Sequence, residues 1–275
     1  MLGRSDILND NQTRISIQYR TLGSGNAFSE GGRLPSSHWL TLRTKAAEEN
    51  YIVLDCGPGS ITSFKKYNLP FNKAKIMISH LHGDHFAGIP FLLLDLAYFC
   101  PRKPEDPPLT IYGPVGANLR IRQLCEVLYP KQADFLMSLC TVGELAPNIA
   151  FDLDGVQIQT FPANHAEGAL IYRISVEDSM GLKKSLVYTG DNELSLEQLA
   201  FMREADALLT ECTAISSTGG NHTSWHLLKG YLTSLKQVGV KRLILVHLGE
   251  DVINMDSKEL RNWITISNDG MEFNF

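Results

Sequence analysis

The stretch Ser79-His80-Leu81-His82-Gly83-Asp84-His85 constrains this chain more than any other. Three of its eight histidines and an aspartate fall within six residues. In an extended chain, residues i and i+2 point the same way, so His80 and His82 present two imidazoles to one point. Gly83 permits a tight turn, after which Asp84 and His85 approach from a new direction. An apolar strand over 75–79 leads in and an apolar helix leads out. The candidate ligands therefore sit at the C-terminal end of a strand, where α/β folds gather their sites. Neutral imidazole with carboxylate suits zinc, and also manganese or iron.

Around this motif the hydrophobic periods predict alternating elements. Strands are expected at 14–22, 38–43, 51–55, 75–79, 109–113, 149–153, 156–162, 169–177, 184–189, 206–211 and 242–248. Helices are expected at 60–67, 86–100, 115–129, 131–139, 195–205 and 223–238. On the last of these, Trp225, Leu228, Leu232, Leu235 and Val238 share one face and form a core stripe. The apolar run 88–100 carries Asp95 and is too short to span a bilayer, so it is read as a buried helix. Residues 100–109 hold four prolines and form a loop, read as a plain surface connection before a lid or rim. No repeat or linker interrupts the pattern. Two sheets with helices outside them, as one α/β domain over 1–275, accommodate it.

Composition narrows the partners. A formal charge of −5 is not that of a general polyanion binder. Residues 1–14 are polar and lack the apolar segment of a signal peptide, which points to the cytoplasm. Five cysteines without a C-x-x-C pair read as reduced thiols and speak against a thiolate zinc site.

Four ligands from one loop cannot close two metal sites. The remaining candidates each end a strand-like segment: His165 after residues 156–162, Asp191 after 184–189, His222 after 206–211, and His247 at the end of 242–248. Each alone could be a turn aspartate or a satisfied buried histidine. In their order, however, H-x-H-x-D-H followed by His, Asp and His resembles the metallo-β-lactamase superfamily, from Asp55 in LDCGPG to His247 in LVHLG. The resemblance implies an αββα sandwich with a dinuclear metal cleft. It places His80, His82 and His165 on the first metal and Asp84, His85 and His247 on the second, with Asp191 bridging. Asp55 would support the metal loop without ligating. Two divalent ions, zinc foremost with manganese or iron as alternatives, would sharpen a bridging hydroxide and neutralise substrate charge.

The same resemblance bears on the reaction. Residues 19–37 and the segment Asn221-His222-Thr223-Ser224 are similar to the tRNase Z and cyclic-phosphodiesterase branch. There His222 would protonate the leaving oxygen, steadied by Glu211, so that Asp84, His222 and Glu211 form the catalytic set. His222 as a plain helix cap is the alternative. His226, one turn further on, is read as core or as support for the ligands. Only 25 residues separate His165 from Asp191, too few for the tRNA-gripping arm that a tRNase Z carries in this interval. The N-terminal cysteine cluster of the phosphonate-pathway phosphodiesterase is also absent. The leading expectation is a phosphodiesterase for a small or cyclic, nucleotide-like phosphodiester, with long nucleic acid and membrane disfavoured as partners. A tRNase Z-like endoribonuclease, a hydrolase of aryl sulfates, thioesters or lactones, and a non-enzymatic binding protein are the alternatives. Apolar surface on the helix starting at Phe86 and on 115–139 predicts a homodimer.

Overall fold

The computed structural model describes residues 15–44, 49–100, 106–216, 220–256, 258 and 260–275. Residues 101–105 of the Pro-rich loop and the polar N-terminal segment 1–14 lie outside the described residues. Strands run from β1 (Ser16–Gly23), β2 (Ser37–Arg43) and β3 (Glu49–Cys56) through β4 (Lys75–Met77), β5 (Leu109–Pro114) and β6 (Cys140–Leu145). They continue as β7 (Ala150–Leu153), β8 (Val156–Pro162), β9 (Leu170–Glu177), β10 (Lys183–Tyr188), β11 (Ala207–Glu211), β12 (Arg242–Val246), β13 (Ile264–Ile266) and β14 (Glu272–Asn274). One sheet has the order β14-β1-β2-β3-β4-β5-β6, the other β13-β12-β11-β10-β9-β8-β7.

Alternation along the strands decides which face goes where. In β3, Ile52 and Leu54 face the opposing sheet, while Val53 and Cys56 face the helices. Tyr19, Leu40, Met77, Ile158, Tyr172 and Leu209 complete the layer between the sheets. Outside the first sheet pack α1 (Ser60–Lys66), α2 (Gly83–Phe86), α3 (Ile89–Tyr98), α4 (Ala117–Leu128) and α5 (Ala133–Ser138). Outside the second packs α6 (Trp225–Gln237), through the expected stripe of Trp225, Leu228, Leu232 and Leu235. A short α7 (Glu250–Ile253) follows β12. The layers are helix, sheet, sheet, helix, the αββα sandwich of the metallo-β-lactamase type. Among the described residues no helix is long and apolar enough to cross a membrane.

Three expectations need correction. The single helix over 86–100 is two pieces, α2 and α3. Between them the Gly88 amide donates to the Cys56 carbonyl, 2.8 Å away, and the backbones touch: a Cβ on Gly88 would lie 2.3 Å from the Gly57 oxygen. Nor is α3 wholly buried, since Phe91 and Tyr98 are exposed. The helix over 195–205 is a short 3-10 turn at Leu196–Gln198 followed by further turns. Ser195 and Gln198 form a capping box, and Gln198 is drawn into bonds with the Asn192 side chain. Arg173 donates to the carbonyls of Phe201 and Arg203 at 2.9 and 2.8 Å, and the Ala205 amide, the helical partner of Phe201, donates to Met202 instead. Finally, His226 is exposed on α6 rather than lying in the core.

The Gly57–Gly88 contact carries a prediction, because it clamps the metal loop onto the end of β3. Gly88→Ala forces the two backbones apart and should lower stability by about 1–3 kcal/mol. Urea unfolding followed by circular dichroism checks this. A variant as stable as the parent would show that the loop is free to move away.

Candidate metal centre

The two sheets present their strand ends to one cleft. His80 and His82 follow β4, and Asp84 and His85 lie in α2. His165 follows β8, Asp191 follows β10, and Glu211 ends β11. His222 precedes α6, and His247 follows β12 with φ 52°, a left-handed conformation that bends the chain into the cleft at some cost in strain. Hydrogen bonds stitch the metal loop to the second sheet: the Leu170 amide donates to the Ser79 carbonyl (2.9 Å) and the Tyr172 hydroxyl to the Ile78 carbonyl (2.8 Å).

The seven expected ligands form two groups. His80, His82, His165 and Asp191 bring their ligand atoms together, and so do Asp84, His85, Asp191 and His247, with all atoms of each group within 4.8 Å of one another. Asp191 is the member common to both. Its Oδ2 lies 3.8 Å from both His80 Nε2 and His165 Nε2. Its Oδ1 is 3.2 Å from His85 Nε2, and its Oδ2 is 3.4 Å from His247 Nε2. A third group joins Asp191, Glu211, His222 and His247, but there Nδ1 of His222 is already bonded to Glu211 Oε2 at 2.9 Å.

Whether a metal fits can be read from the other ring nitrogens. His80 Nδ1 meets Ser79 Oγ (3.1 Å), His85 Nδ1 meets Asp55 Oδ2 (2.6 Å), His165 Nδ1 meets the Asn221 carbonyl (3.2 Å) and His247 Nδ1 meets Thr213 Oγ1 (3.0 Å). A proton on each Nδ1 leaves Nε2 as a bare lone pair facing the middle of the site. His80 Nε2, His85 Nε2 and Asp191 Oδ1 are buried with no hydrogen-bond partner. Such orphaned atoms are costly unless a cation takes them. These clusters are therefore suited to a dinuclear metal site. Sequence patterns did not single out the anchors Ser79, Thr213 and the Asn221 carbonyl. Only their places beside a ligand, or two residues after Glu211, could have flagged them.

The electrostatics agree. Burial raises the carboxyls of Asp191 and Asp84, yet neighbouring imidazoles, His247 and His85, outweigh it and hold both well below the usual range. Burial pushes His85 and His247 down, and the carboxylates around them, Asp191 first, draw them up instead. The centre of the cleft thus attracts positive charge. Glu211 is fully buried, and burial with the Asp191 charge pushes its carboxyl up. The donors aimed at it, the Asn192 amide, the Thr213 hydroxyl and His222, favour the carboxylate. The Glu211 hydrogen bond is the largest influence on His222 and raises its pKa. His222 is partly exposed, with ring centroids 4.7 Å from His165 and 5.8 Å from His247. It therefore stands beside both metal groups, tied back by Nδ1.

Known proteins share this architecture. The metallo-β-lactamase fold protein YhfI from Bacillus subtilis superposes with a TM-score of 0.72 at 20 % identity, over 95 % of this chain and 100 % of that one. A diphosphatase from the PhnP family gives 0.72 at 16 % identity, over 94 % and 97 %. Human tRNase Z, short form, gives 0.68 at 23 %, over 93 % and 98 %. In sequence, ribonuclease Z of Methanosarcina mazei is 24 % identical over 91 % of this chain and 95 % of its own length. For ribonuclease Z of Haloferax volcanii the figures are 28 %, 61 % and 49 %, so the match spans about half the length of that relative. The chain has the metallo-β-lactamase fold and is related in sequence to these ribonucleases. The family model described as anti-Pycsar protein Apyc1 matches residues 17–265, nearly all of the sandwich and every residue of the cleft, and it is to the Apyc1 family that this chain belongs.

Proposed function

We propose that the chain hydrolyses a cyclic nucleotide or similar small phosphodiester, and that His80, His82, His165, Asp84, His85, His247 and Asp191, the member shared by both groups, would hold two zinc ions. The observation that carries the reading is His222. Its Nδ1 is fixed on a buried carboxylate, so the proton it can give up sits on Nε2, beside the cleft. A ribose oxygen leaves phosphorus as a poor leaving group and needs a proton as the P–O bond breaks; His222 supplies it. Glu211 orients the ring and raises its pKa, favouring the protonated form. When bound, the metal pair supplies a nucleophile at neutral pH and neutralises charge on the phosphoryl oxygens. Five imidazoles and no thiolate in the two groups favour zinc over the harder manganese. Membership of the anti-Pycsar family supports this substrate class, and a diphosphatase from the PhnP family shares the fold.

The ribonuclease Z relatives favour a second reading, cleavage of RNA. Against it, β9 and β10 are joined by the short turn 178–182, which leaves no long arm to grip a tRNA. A panel of one cyclic nucleotide, bis(p-nitrophenyl) phosphate, precursor tRNA, an aryl sulfate and a thioester tests the proposal. Turnover of the first two is expected. Cleavage of precursor tRNA with the cyclic nucleotide untouched would favour the second reading. Turnover of the sulfate or thioester alone would move the protein to another ester class.

The reading also includes a homodimer. Phe91, Phe99, Leu119, Val127 and Phe135 stand exposed on α3, α4, α5 and the segment just after α3. Exposed apolar side chains gathered on one helical layer mark an interaction surface. Light scattering should give twice the chain mass, and a monomer at micromolar concentration would reject the pairing.

A further inference from the structure

His38 takes no part in the site described so far, yet it is fully buried and bonded through both ring nitrogens. Its Nε2 lies 3.2 Å from Ser36 Oγ and its Nδ1 lies 3.1 Å from Tyr19 Oη. Ser36 Oγ is in turn 3.0 Å from Tyr188 Oη, and Tyr188 Oη is 2.6 Å from Asp55 Oδ2. At the far end the Thr21 hydroxyl donates to Tyr19 Oη at 2.8 Å. Every member is at most 1 % exposed. The chain crosses the sandwich from β1 and β2 to the end of β10.

One carboxylate fixes every proton in this chain. The Tyr188 hydroxyl donates to Asp55 Oδ2, so its oxygen must accept from Ser36. The Ser36 proton is then spent, and Ser36 accepts from His38 Nε2–H. His38 Nδ1 is left bare and accepts from Tyr19, whose oxygen accepts from Thr21. Burial holds the His38 imidazole neutral, pushed down to about 3, so the ring carries a single proton and one tautomer is selected. On its other side Asp55 accepts from His85 Nδ1–H, the Ser79 amide (2.6 Å) and the Ser79 hydroxyl (2.7 Å). With that hydroxyl committed, Ser79 Oγ accepts from His80 Nδ1–H. Donation therefore converges on Asp55 from both sides, and the donors on the metal side, His80 and His85, are left with bare Nε2 atoms, one in each metal group. Asp55 itself is held in the left-handed region at φ 58°, which keeps its carboxylate at this junction.

We propose that Thr21, Tyr19, His38, Ser36 and Tyr188 form a one-way hydrogen-bond relay, with His38 protonated at Nε2, that anchors the Asp55 carboxylate at its junction and so positions a ligand of each metal. These are positioning residues: none is a member of either metal group. The proposal rests on His80 and His85 being ligands, as in the reading above. Groups that orient a metal ligand are worth about 10–100-fold in metal affinity, and the relay should act on both sites.

The test measures zinc affinity of the full chain by chelator competition after stripping. His38→Leu is expected to weaken binding by about 10–100-fold, and His38→Gln, which keeps an acceptor and a donor, should restore most of it. Tyr188→Phe cuts the last link and should cost as much. In that background His38→Leu should add little, because the relay is already broken; general loosening of the core would instead add. Unchanged affinity in His38→Leu, or additive losses, would overturn the relay. Nitrogen NMR shifts of the wild-type chain read the tautomer directly and do not depend on any variant folding. His38 protonated at Nε2 is expected, and protonation at Nδ1 would overturn the relay. Wild-type protein that takes up no zinc would reject the ligand assignment, and the tautomer would still judge the relay by itself.

Discussion

Asp191→Ala is expected to lose both metals and nearly all activity. Asp191 is the only residue common to the two metal groups, and its oxygens lie 3.2–3.8 Å from His80, His85, His165 and His247. Removing it leaves Asp84 as the sole anionic member for two divalent cations. Charge and geometry fail at both sites together. Elemental analysis should fall from about two metals per chain to a trace. Several kcal/mol of transition-state stabilisation go with the metals, so turnover of a cyclic nucleotide should fall by about 10³-fold or more. His82→Ala removes a member of the first group alone and should lose metal and activity as well, with the loss confined to that site. Full metal occupancy and activity in both variants would remove the dinuclear reading.

The second large effect separates proton donation from metal binding. His222→Ala should keep both metals, because its Nδ1 is bonded to Glu211 and the other seven residues complete the two groups. Its rate on a cyclic nucleotide should drop by about 10²–10⁴-fold, the usual worth of general acid catalysis. With bis(p-nitrophenyl) phosphate the loss should shrink, since p-nitrophenolate leaves well without a proton. Equal losses on both substrates would make His222 a substrate-positioning group. Lost metal would make it a ligand and put the assignment of His247 in doubt. Glu211→Gln should lower the apparent acid pKa of the pH–rate profile, because the Glu211 carboxylate is what raises His222. An unchanged alkaline limb would detach Glu211 from that role.

The cleft was legible because its residue types are rare and placed at strand ends. Four candidate ligands in His80 to His85, and single candidates after β8, β10 and β12, need no tertiary information to be suspected. Their anchors were not legible. Ser79, Ser36 and Thr213 are common types, and what they do depends on a partner that only the fold brings near. His38 shows the same limit. In sequence it is a lone histidine in a strand, and its bonds belong to a chain that reaches the second sheet only through Tyr188. The helix over 195–205 fails for a related reason: its apolar pattern is real, with Leu199, Met202 and Ala205 buried, but Arg173 from β9 competes for its carbonyls. Strand β6 is short and holds Gly143, and β13 and β14 have only three residues each. Pairing with β5, β12 and β1 defines these strands, and their own propensity does not.

The most direct measurement is a metal titration of stripped protein read by hydrolysis of a cyclic nucleotide. Activity should be absent without metal, should rise with added zinc and should reach its maximum at about two equivalents per chain. A maximum at one equivalent would reject a dinuclear reaction. Hydrolysis by the stripped protein, or none at any zinc level while two ions bind, would contradict the account of this cleft as the centre of a cyclic-nucleotide phosphodiesterase.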